Sequence, residues 1–291
     1  MIALLAVLLA QETASGDAVV RAKAGKSEIV LRTTSRLAGA IDSLTWDGKE
    51  FINSVDHGRQ LQSASNFDAG LPVSDETYNP TEAGSRADHV GPKSSSVLLS
   101  LKAEGNVLES RSRMAFWLKP GEKSGPNLAK NTTIVSDHVL SKRVVIGFRD
   151  LPQVLNYVVT FTIPAEKHTV ATLEALTGYM PAEFSRFLVY DPAKKSARPI
   201  GYGPGEQALP MILSTESGSH AMGIYSFEPA ASYGRFRFVP ERVVKWNCVF
   251  RVKKPEGIPP GDFTCRMAVP VGTLDDVVAS MTRLCEIAGE K

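Results

Sequence analysis

Residues 44–52 read LTWDGKEFI, and the dipeptide Asp47-Gly48 at their centre separates two short hydrophobic runs. Asp-Gly between such runs is a strong signal for the two-residue turn of a β-hairpin. Similar short apolar segments, bounded by turn residues, recur along the chain, and residues 154–163 (VLNYVVTFTI) are rich in the β-branched and aromatic residues that favour strands. The pattern predicts an all-β fold.

Helical spacing is clear only near the C-terminus. Thr273 has the character of an N-cap, acidic residues follow it, and apolar residues then recur every three or four positions. We find no internal repeat and no linker, so we predict one domain over residues 16–291 with about fifteen short strands. The expected architecture is a large antiparallel two-sheet sandwich with one C-terminal amphipathic helix at 273–289.

A polar stretch, residues 53–92, follows the hairpin and contains many groups that are costly to bury without partners. As a strand, residues 54–62 would carry hydrogen-bonding side chains on both faces, which fits a solvated edge or the lining of a polar groove. Residues 63–92 would then form a loop of about thirty residues, a length that is commonly functional or disordered. Its aromatic residues argue against disorder. The stretch predicts a ligand site, with a solvated edge and ordered loop as the alternative.

The N-terminal residues read MIALLAVLLAQETASG, with an apolar run from Ile2 to Ala10. About ten apolar residues are too few to cross a bilayer but suit the central region of a signal peptide. We therefore expect residues 1–15 to be a cleaved signal peptide and the protein to be secreted or periplasmic. The alternative is a truncated N-terminus.

Charge and cysteine content narrow the classes of partner. The 33 basic and 31 acidic residues are spread evenly, for a formal charge of +2, so the sequence indicates neither a nucleic-acid surface nor, after signal cleavage, a membrane-binding face.

Three cysteines do not make a disulfide framework. Cys248 and Cys265 lie on predicted neighbouring strands and could pair in an oxidising compartment, whereas Cys285 is expected to be a buried thiol on the helix.

Metal and cofactor motifs are weak in this chain. Three of the five histidines follow an aspartate, at His57, His89 and His138. Neighbouring residues on a strand point to opposite faces, so such pairs do not chelate one ion. The glycine-rich residues 203–206 are followed by no helix that could bind a phosphate. We predict no metal and no cofactor.

The remaining polar and aromatic residues suit a carbohydrate ligand, because amides and guanidinium groups match vicinal hydroxyls and carboxylates, while aromatic rings offer flat apolar faces. The predicted substrate-binding residues are Arg59, Gln60, Gln62, Asn66, Asn79, Glu82, Tyr202 and Gln207, and the predicted catalytic residues are Tyr78, His89, His220 and Glu206. Folding of the long loop over the polar strand would bring Arg59, Tyr78 and His89 to one pocket. The alternatives are an ion-paired loop carboxylate for Glu206 and a hydrogen-bonded strand histidine for His220.

The order of short strands, the early dipeptide Gly58-Arg59 and a later glutamate in a turn resemble the galactose mutarotase-like supersandwich, which aldose 1-epimerases share with several polysaccharide lyases and glycoside hydrolases. The resemblance implies a carbohydrate ligand on a concave sheet face and a sugar-binding role for Arg59. The epimerases' Asn-His-Thr segment is absent, so the resemblance does not carry their catalytic histidine to this chain.

These observations favour a secreted carbohydrate-active enzyme that cleaves an oligo- or polysaccharide. β-Elimination would use Arg59 or Asn79 to neutralise a uronate and Tyr78, His89 or His220 as base. Hydrolysis would use two carboxylates, Glu82 with Glu206 or Asp88. The alternatives are an aldose 1-epimerase-like mutarotase that uses His220 and Glu206, and a non-catalytic carbohydrate-binding or cell-surface module.

Overall fold

The computed structural model describes residues 14–69, 76–240 and 242–290. Within these ranges the chain is mostly antiparallel β-structure, with one α-helix and two 3-10 helices at Ser35–Leu37 and Arg86–Asp88. The strands are β1 (Ala18–Ala24), β2 (Ser27–Thr33), β3 (Ile41–Trp46), β4 (Lys49–Glu50), β5 (Leu61–Phe67), β6 (Pro80–Thr81), β7 (Val97–Glu104), β8 (Val107–Phe116), β9 (Lys123–Ser124), β10 (Asn127–Leu128), β11 (Val135–Phe148), β12 (Leu151–Ile163), β13 (Val170–Pro181), β14 (Arg186–Asp191), β15 (Ser196–Pro199), β16 (Gly205–Gln207), β17 (Met211–Ser214), β18 (Ala221–Ser226), β19 (Ser232–Phe238), β20 (Val243–Lys253) and β21 (Gly261–Gly272).

The strands form two packed layers. The site layer has the order β1-β2-β3-β5-β13-β20-β19-β16, and the back layer has the order β7-β8-β11-β12-β21-β18-β17-β14-β15. The short strand β6 pairs with both β5 and β8 and so links the two layers. The predicted antiparallel sandwich is confirmed.

Alternation of apolar residues explains why the layers pack. In β12, Leu155, Tyr157, Val159, Phe161 and Ile163 are all buried and point to the same face. The rings of Phe67 in β5 and His138 in β11 lie 4.6 Å apart, and those of Phe250 in β20 and Phe263 in β21 lie 6.0 Å apart. These contacts connect strands of opposite layers, so the main core lies between them.

The predicted C-terminal helix is confirmed as α1 (Leu274–Gly289). Thr273 caps it, since its side chain accepts from the backbone of Asp276 and the Asp276 carboxylate accepts from the backbone of Thr273. Buried side chains of α1, such as Val277 and Leu284, pack on strands of the back layer. No helix in the described part of the chain has the length and apolarity that a membrane span needs.

The structure corrects the strand boundaries in the polar stretch. Residues 54–60 are not strand, and β5 begins at Leu61. The reason is local, because the Asp56 carboxylate accepts a hydrogen bond from the backbone N–H of Gly58 at 2.9 Å and turns the chain. The predicted long loop is also shorter, since β5 continues to Phe67.

The structure also shows the state of the three cysteines. Cys248 and Cys265 are buried free thiols, and burial raises the pKa of both. Cys285 is a half-buried free thiol on α1. The predicted signal peptide, residues 1–15, lies almost entirely outside the described residues.

Candidate functional site

A cavity of about 310 Å³ opens on the outer face of the site layer. Its floor comes from β5, β13 and β20, and residues 76–81 together with Trp117 form one wall. The lining residues are Gly58, Gln62, Ala64, Asn66, Glu76, Asn79, Thr81, Trp117, Thr172, Glu174, Thr177, Tyr179, Lys245 and Arg251. Most of them are polar, as is common on the outer face of a sheet, but here they converge on a concave space, which makes the cavity the candidate ligand site.

Strand register assembles this floor from distant parts of the sequence. One row crosses five strands and runs Gln62, Thr177, Asn247, Gly234 and Glu206. Residues that are direct partners across a sheet present their side chains on the same face. The row therefore brings residues of β5, β13 and β20 together at the cavity floor and continues through β19 to Glu206 in β16.

A β-bulge at Ala175 places the key residues of β13 on that face. Glu174 pairs with Val249 and Leu176 with Cys248, so Ala175 is an extra residue in β13. Both Ala175 and Leu176 point into the core. As a result Thr177 faces the cavity with Glu174, although strict alternation would separate residues three positions apart.

Glu174 is ionised in the cavity floor. Its Oε2 atom accepts hydrogen bonds from Thr177 Oγ1 at 2.9 Å and from Asn247 Nδ2 at 3.1 Å. Burial on its own would raise the pKa of Glu174, but the charge of Lys245 and these two hydrogen bonds hold it below its usual value. The carboxylate is therefore available as a base at neutral pH.

Two proton donors lie beside this base. Lys245 Nζ lies 5.3 Å from the centroid of the Tyr179 ring, and the two residues are partners in the sheet. Burial would lower the pKa of Lys245, yet the neighbouring Tyr179 and Glu174 raise it overall. Burial is the main cause that raises the pKa of Tyr179. At neutral pH the cavity thus holds a carboxylate, an ammonium group and a neutral phenol.

Two buried amide oxygens, one in the cavity floor and one in the neighbour that donates to Glu174, have no hydrogen-bond partner among the described residues. They are Gln62 Oε1 and Asn247 Oδ1, in side chains that are 5% and 9% exposed. Their amide nitrogens are engaged, by the carbonyl of Gly58 at 2.8 Å and by Glu174. An unpaired buried acceptor is costly, so both oxygens are suited to accept hydrogen bonds from a ligand.

Arg251 and Glu206 form an ion pair at the edge of the floor. Their Nη2 and Oε2 atoms are 2.5 Å apart, and Arg251 Nη1 also donates to Thr172 Oγ1 at 3.1 Å. The hydrogen bonds from Arg251 and Ser232 hold the pKa of Glu206 below its usual value. The positive charge of Arg251 balances the negative charge of Glu206, and the Glu206 carboxylate stays ionised.

The structure places part of the predicted site in this cavity. Gln62, Asn66 and Asn79 line it, and Glu206 lies at its edge. Gln207 follows in β16, where its Oε1 atom accepts from Arg235 at 2.5 Å.

The residues predicted to share one pocket occupy three environments. Arg59 pairs with Asp56 at 3.3 Å and is not among the lining residues of the described chain. Tyr78 is buried between the layers and its hydroxyl donates to Glu166. His89 is exposed and has a φ of 47°, and its carbonyl accepts from the His57 ring at 2.6 Å.

The other predicted residues lie away from the cavity. Gln60 is buried and donates to the carbonyl of Asp56. Glu82 is buried and accepts from Lys142. The His220 ring packs 5.7 Å from the ring of Trp46, and its Nδ1 lies 2.9 Å from Ser219 Oγ. Tyr202 is half exposed, with Arg237 over its ring. Their functional roles stay predictions.

The sequence interpretation missed Glu174, Tyr179, Lys245, Asn247 and Arg251. A signal for the last three was present, because Lys245, Asn247 and Arg251 alternate with apolar residues in β20 and share one face. The signal for Glu174 and Tyr179 was hidden by the bulge, since strict alternation assigns them to opposite faces. No group of three or more histidine, cysteine, aspartate or glutamate residues in the described ranges could hold a metal ion.

No protein-family model and no curated protein matches the sequence. Solved structures do match: a candidate aldose 1-epimerase of Escherichia coli K12 superposes with a TM-score of 0.52 at 11% identity, covering 89% of this chain and 100% of that one. The chain has the galactose mutarotase-like fold. The predicted resemblance is confirmed at the level of the fold, and the cavity lies on the outer face of one sheet of this galactose mutarotase-like sandwich.

Two further structures match less closely. A galactose mutarotase-like protein of Clostridium acetobutylicum has a TM-score of 0.42 at 6% identity, covering 87% of this chain and 94% of that one. A heparan sulfate lyase of Pedobacter heparinus has a TM-score of 0.45 at 9% identity, covering 90% of this chain. The chain spans 36% of the length of that lyase.

Proposed function

We propose that the cavity binds an uncharged sugar and interconverts its anomers, as an aldose 1-epimerase-like mutarotase does. The observation that carries the proposal is the ionised Glu174 in the cavity floor, which it shares with Lys245, Tyr179 and the unpaired amide oxygen of Gln62, while Asn247, whose amide oxygen is also unpaired, donates to Glu174. Sugar hydroxyls supply the donors that these two oxygens lack. A cavity of about 310 Å³ is at the small end of ligand sites and suits a single sugar ring.

The reaction requires one base and one acid. Glu174 would take the proton of the anomeric hydroxyl, while the Lys245 ammonium or the Tyr179 phenol gives a proton to the ring oxygen. The bond between C1 and the ring oxygen breaks and an open-chain aldehyde forms. Rotation about the C1–C2 bond, followed by the reverse proton transfers, closes the ring with the opposite configuration at C1 and restores both groups.

The cavity is less suited to the cleavage reactions expected from the sequence. A glycoside hydrolase needs one carboxylic acid with a raised pKa, whereas the pKa values of Glu174 and Glu206 are both lowered. Elimination from a uronate needs a group that neutralises the substrate carboxylate; of the two predicted, Arg59 is not among the lining residues and Asn79 Nδ2 donates to the carbonyl of Ser65. The lining holds Lys245 and Arg251, but Glu76 and Glu174 balance their charges. An uncharged sugar is therefore the better fit.

The proposal is tested by the rate of anomer exchange. Purified protein is added to a panel of neutral aldoses and uronic acids, and exchange between the α and β signals is followed by proton NMR. We expect acceleration with at least one neutral aldose and loss of that acceleration in Glu174→Gln. Glu109→Gln is the matched control, because Glu109 is an exposed carboxylate of the back layer that pairs with Arg143.

Three results would overturn the proposal. Unsaturated uronates released from a polysaccharide panel would indicate a lyase, and new reducing ends without unsaturation would indicate a hydrolase. Sugar binding without any turnover would indicate a binding module. Export is a separate proposal, and an intact Met1 in the protein isolated from its native host would contradict it.

A further inference from the structure

A second groove continues from the cavity along β19 and β16. Its volume is about 390 Å³, and its lining residues are Pro204, Gly205, Glu206, Gly234, Arg235, Phe236, Lys245 and Asn247. Lys245 also lines the cavity, and Asn247 donates the hydrogen bond that holds Glu174. The two spaces therefore meet at the groups that we assign to proton transfer.

Glycine keeps the floor of this groove free of side chains. A Cβ atom at Gly234 would lie 2.1 Å from Asn247 Oδ1, and one at Gly205 would lie 2.8 Å from the guanidinium of Arg235. Any larger residue at these positions would displace Asn247 or Arg235. The unpaired Asn247 Oδ1 atom lies at this boundary, so it can be reached by a group that spans both spaces.

Phe236 lines the groove, and two further aromatic rings lie beside it. Phe236 is the sheet partner of Lys245, which is in turn the partner of Tyr179. The rings of Phe236 and Phe238 lie 4.3 Å apart, and the ring of Phe238 lies 6.4 Å from that of Tyr179. Both phenylalanines are partly exposed, although neither side chain has a polar atom. Aromatic faces next to hydrogen-bonding groups match the apolar C–H face and the hydroxyl rim of a pyranose ring.

Two charged side chains that line the groove, Arg235 and Glu206, are held in place. Arg235 donates from Nε to the carbonyl of Gly201 at 2.6 Å and from Nη1 to Gln207. Glu206 is fixed by Arg251 and by Ser232, whose hydroxyl donates to its Oε1 atom at 2.6 Å. The Glu206 carboxylate is thus paired with Arg251, and the Arg235 guanidinium is held by two neutral oxygen acceptors, so both side chains are fixed by contacts within the protein.

We propose that this groove is a subsite for a second, uncharged sugar ring, so that the substrate is the reducing end of a neutral disaccharide or longer oligosaccharide. This inference rests on the proposed mutarotase function. The reducing ring occupies the cavity and meets Glu174 and Lys245. The next ring crosses the bare floor at Gly234 and stacks on Phe236. No glycosidic bond is broken, because the groove only binds.

The test compares a neutral disaccharide with the monosaccharide that corresponds to its reducing ring. We expect kcat/KM for anomer exchange to be at least tenfold higher with the disaccharide, and Kd by NMR titration to be lower by a similar factor. In Phe236→Ala the ratio of the two kcat/KM values should fall below about threefold. Phe148→Ala is the control, since Phe148 is also a partly exposed aromatic residue but packs on Phe227 in the back layer; it should keep the wild-type ratio.

The two proposals fail in different ways. Equal kcat/KM and equal Kd for the two sugars in the wild type would overturn the subsite and leave the mutarotase function standing. No exchange with either sugar would overturn the function, and the Kd ratio would then still decide the subsite. If Phe236→Ala does not fold, Phe236→Leu removes the flat ring while it keeps an apolar side chain, and the same fall in the ratio is expected.

Discussion

Two of the glutamate–lysine centres in the described residues, Glu82 with Lys142 and Glu174 with Lys245, differ in how they are enclosed. Glu82 and Lys142 lie between the layers, with side chains that are 2% and 0% exposed, and they contact each other directly. The other oxygen of Glu82 accepts from the backbone N–H of Ser63 at 3.0 Å. Glu174 and Lys245 lie on the outer face, where Glu174 is held by Thr177 and Asn247 and both residues line a cavity.

The difference separates a structural role from a chemical one. In the interior pair each charge is matched by a direct partner, so nothing is left for a ligand. In the cavity the carboxylate and the ammonium remain accessible, and amide oxygens beside them lack partners. Residue type alone therefore does not mark a site. The cavity is marked instead by polar groups that are partly buried and still lack a hydrogen-bond partner.

The largest effect is expected at the outer centre. Glu174→Gln removes the base and keeps the shape, so kcat for anomer exchange should fall by about 10²–10⁴-fold. Because the pKa of Glu174 is lowered, the wild-type rate should persist to a pH below the usual glutamate range before it falls. The NMR exchange assay over a range of pH measures both. A rate that is unchanged in Glu174→Gln would remove the distinction between the two centres.

The inner centre should give the opposite result. Glu82→Gln leaves the Lys142 ammonium buried without its counter-charge, which should cost about 3–5 kcal/mol of stability. Urea unfolding measures this loss, and the exchange rate per folded molecule should be unchanged. The double variant Glu82→Leu/Lys142→Met is the control, because it removes both charges and is expected to recover most of the loss. A double variant as unstable as the single one would contradict this account.

His138 provides an enclosed group without a partner. Both of its ring nitrogens lack a hydrogen bond among the described residues, and burial, with a smaller effect of the His168 charge, lowers its pKa from 6.5 to about 3. The unfolded chain therefore binds a proton below pH 6.5 that the folded protein binds only near pH 3. Stability should fall as the pH drops through this window, by about 2 kcal/mol between pH 7 and pH 5.

Urea unfolding at pH 7 and at pH 5 tests this, with His138→Phe as the variant. The phenylalanine cannot be protonated, so its stability difference between the two pH values should be smaller by that amount. His89→Asn is the control, because His89 is exposed and asparagine tolerates its positive φ. Equal pH dependence in wild type and His138→Phe would show that His138 does not titrate as a buried group.

The smallest effect on stability is expected at Arg59. Its ion pair with Asp56 is partly exposed, at 24% and 28%, so Arg59→Ala should cost at most about 1 kcal/mol. The sequence predicts that the same variant loses sugar affinity. Melting temperature and NMR titration on one sample distinguish the outcomes. Normal affinity would confine binding to the cavity, and lost affinity would extend the site to the turn at residues 56–59.

The sequence predicted the sandwich because its strands follow local rules, such as the Asp47-Gly48 turn and the alternation in β12. It also predicted α1 from its capping residues. The residues of the site were harder to predict, since the cavity floor depends on which distant strands become neighbours. Gln62, Asn66 and Asn79, which line the cavity, were predicted as binding residues because they lie in a stretch that is conspicuously polar. Lys245 lies between apolar residues in β20 and gives little signal without its register.

Glu82 shows the opposite limit. It lies in the polar stretch and was predicted as a binding residue, but its burial against Lys142 depends on a residue sixty positions away. No local pattern distinguishes a glutamate that faces a cavity from one that faces a lysine in the core.

The bulge at Ala175 also affects how β13 tolerates a change in chain length. Ala175 and Leu176 both face the core, so loss of either one would restore strict alternation and leave Glu174, Thr177 and Tyr179 on the cavity face. Loss of one residue after the bulge, such as Gly178, would instead turn Tyr179 into the core. When relatives of this protein are compared, a one-residue gap at Ala175 is therefore compatible with the site, whereas a gap at Gly178 is not.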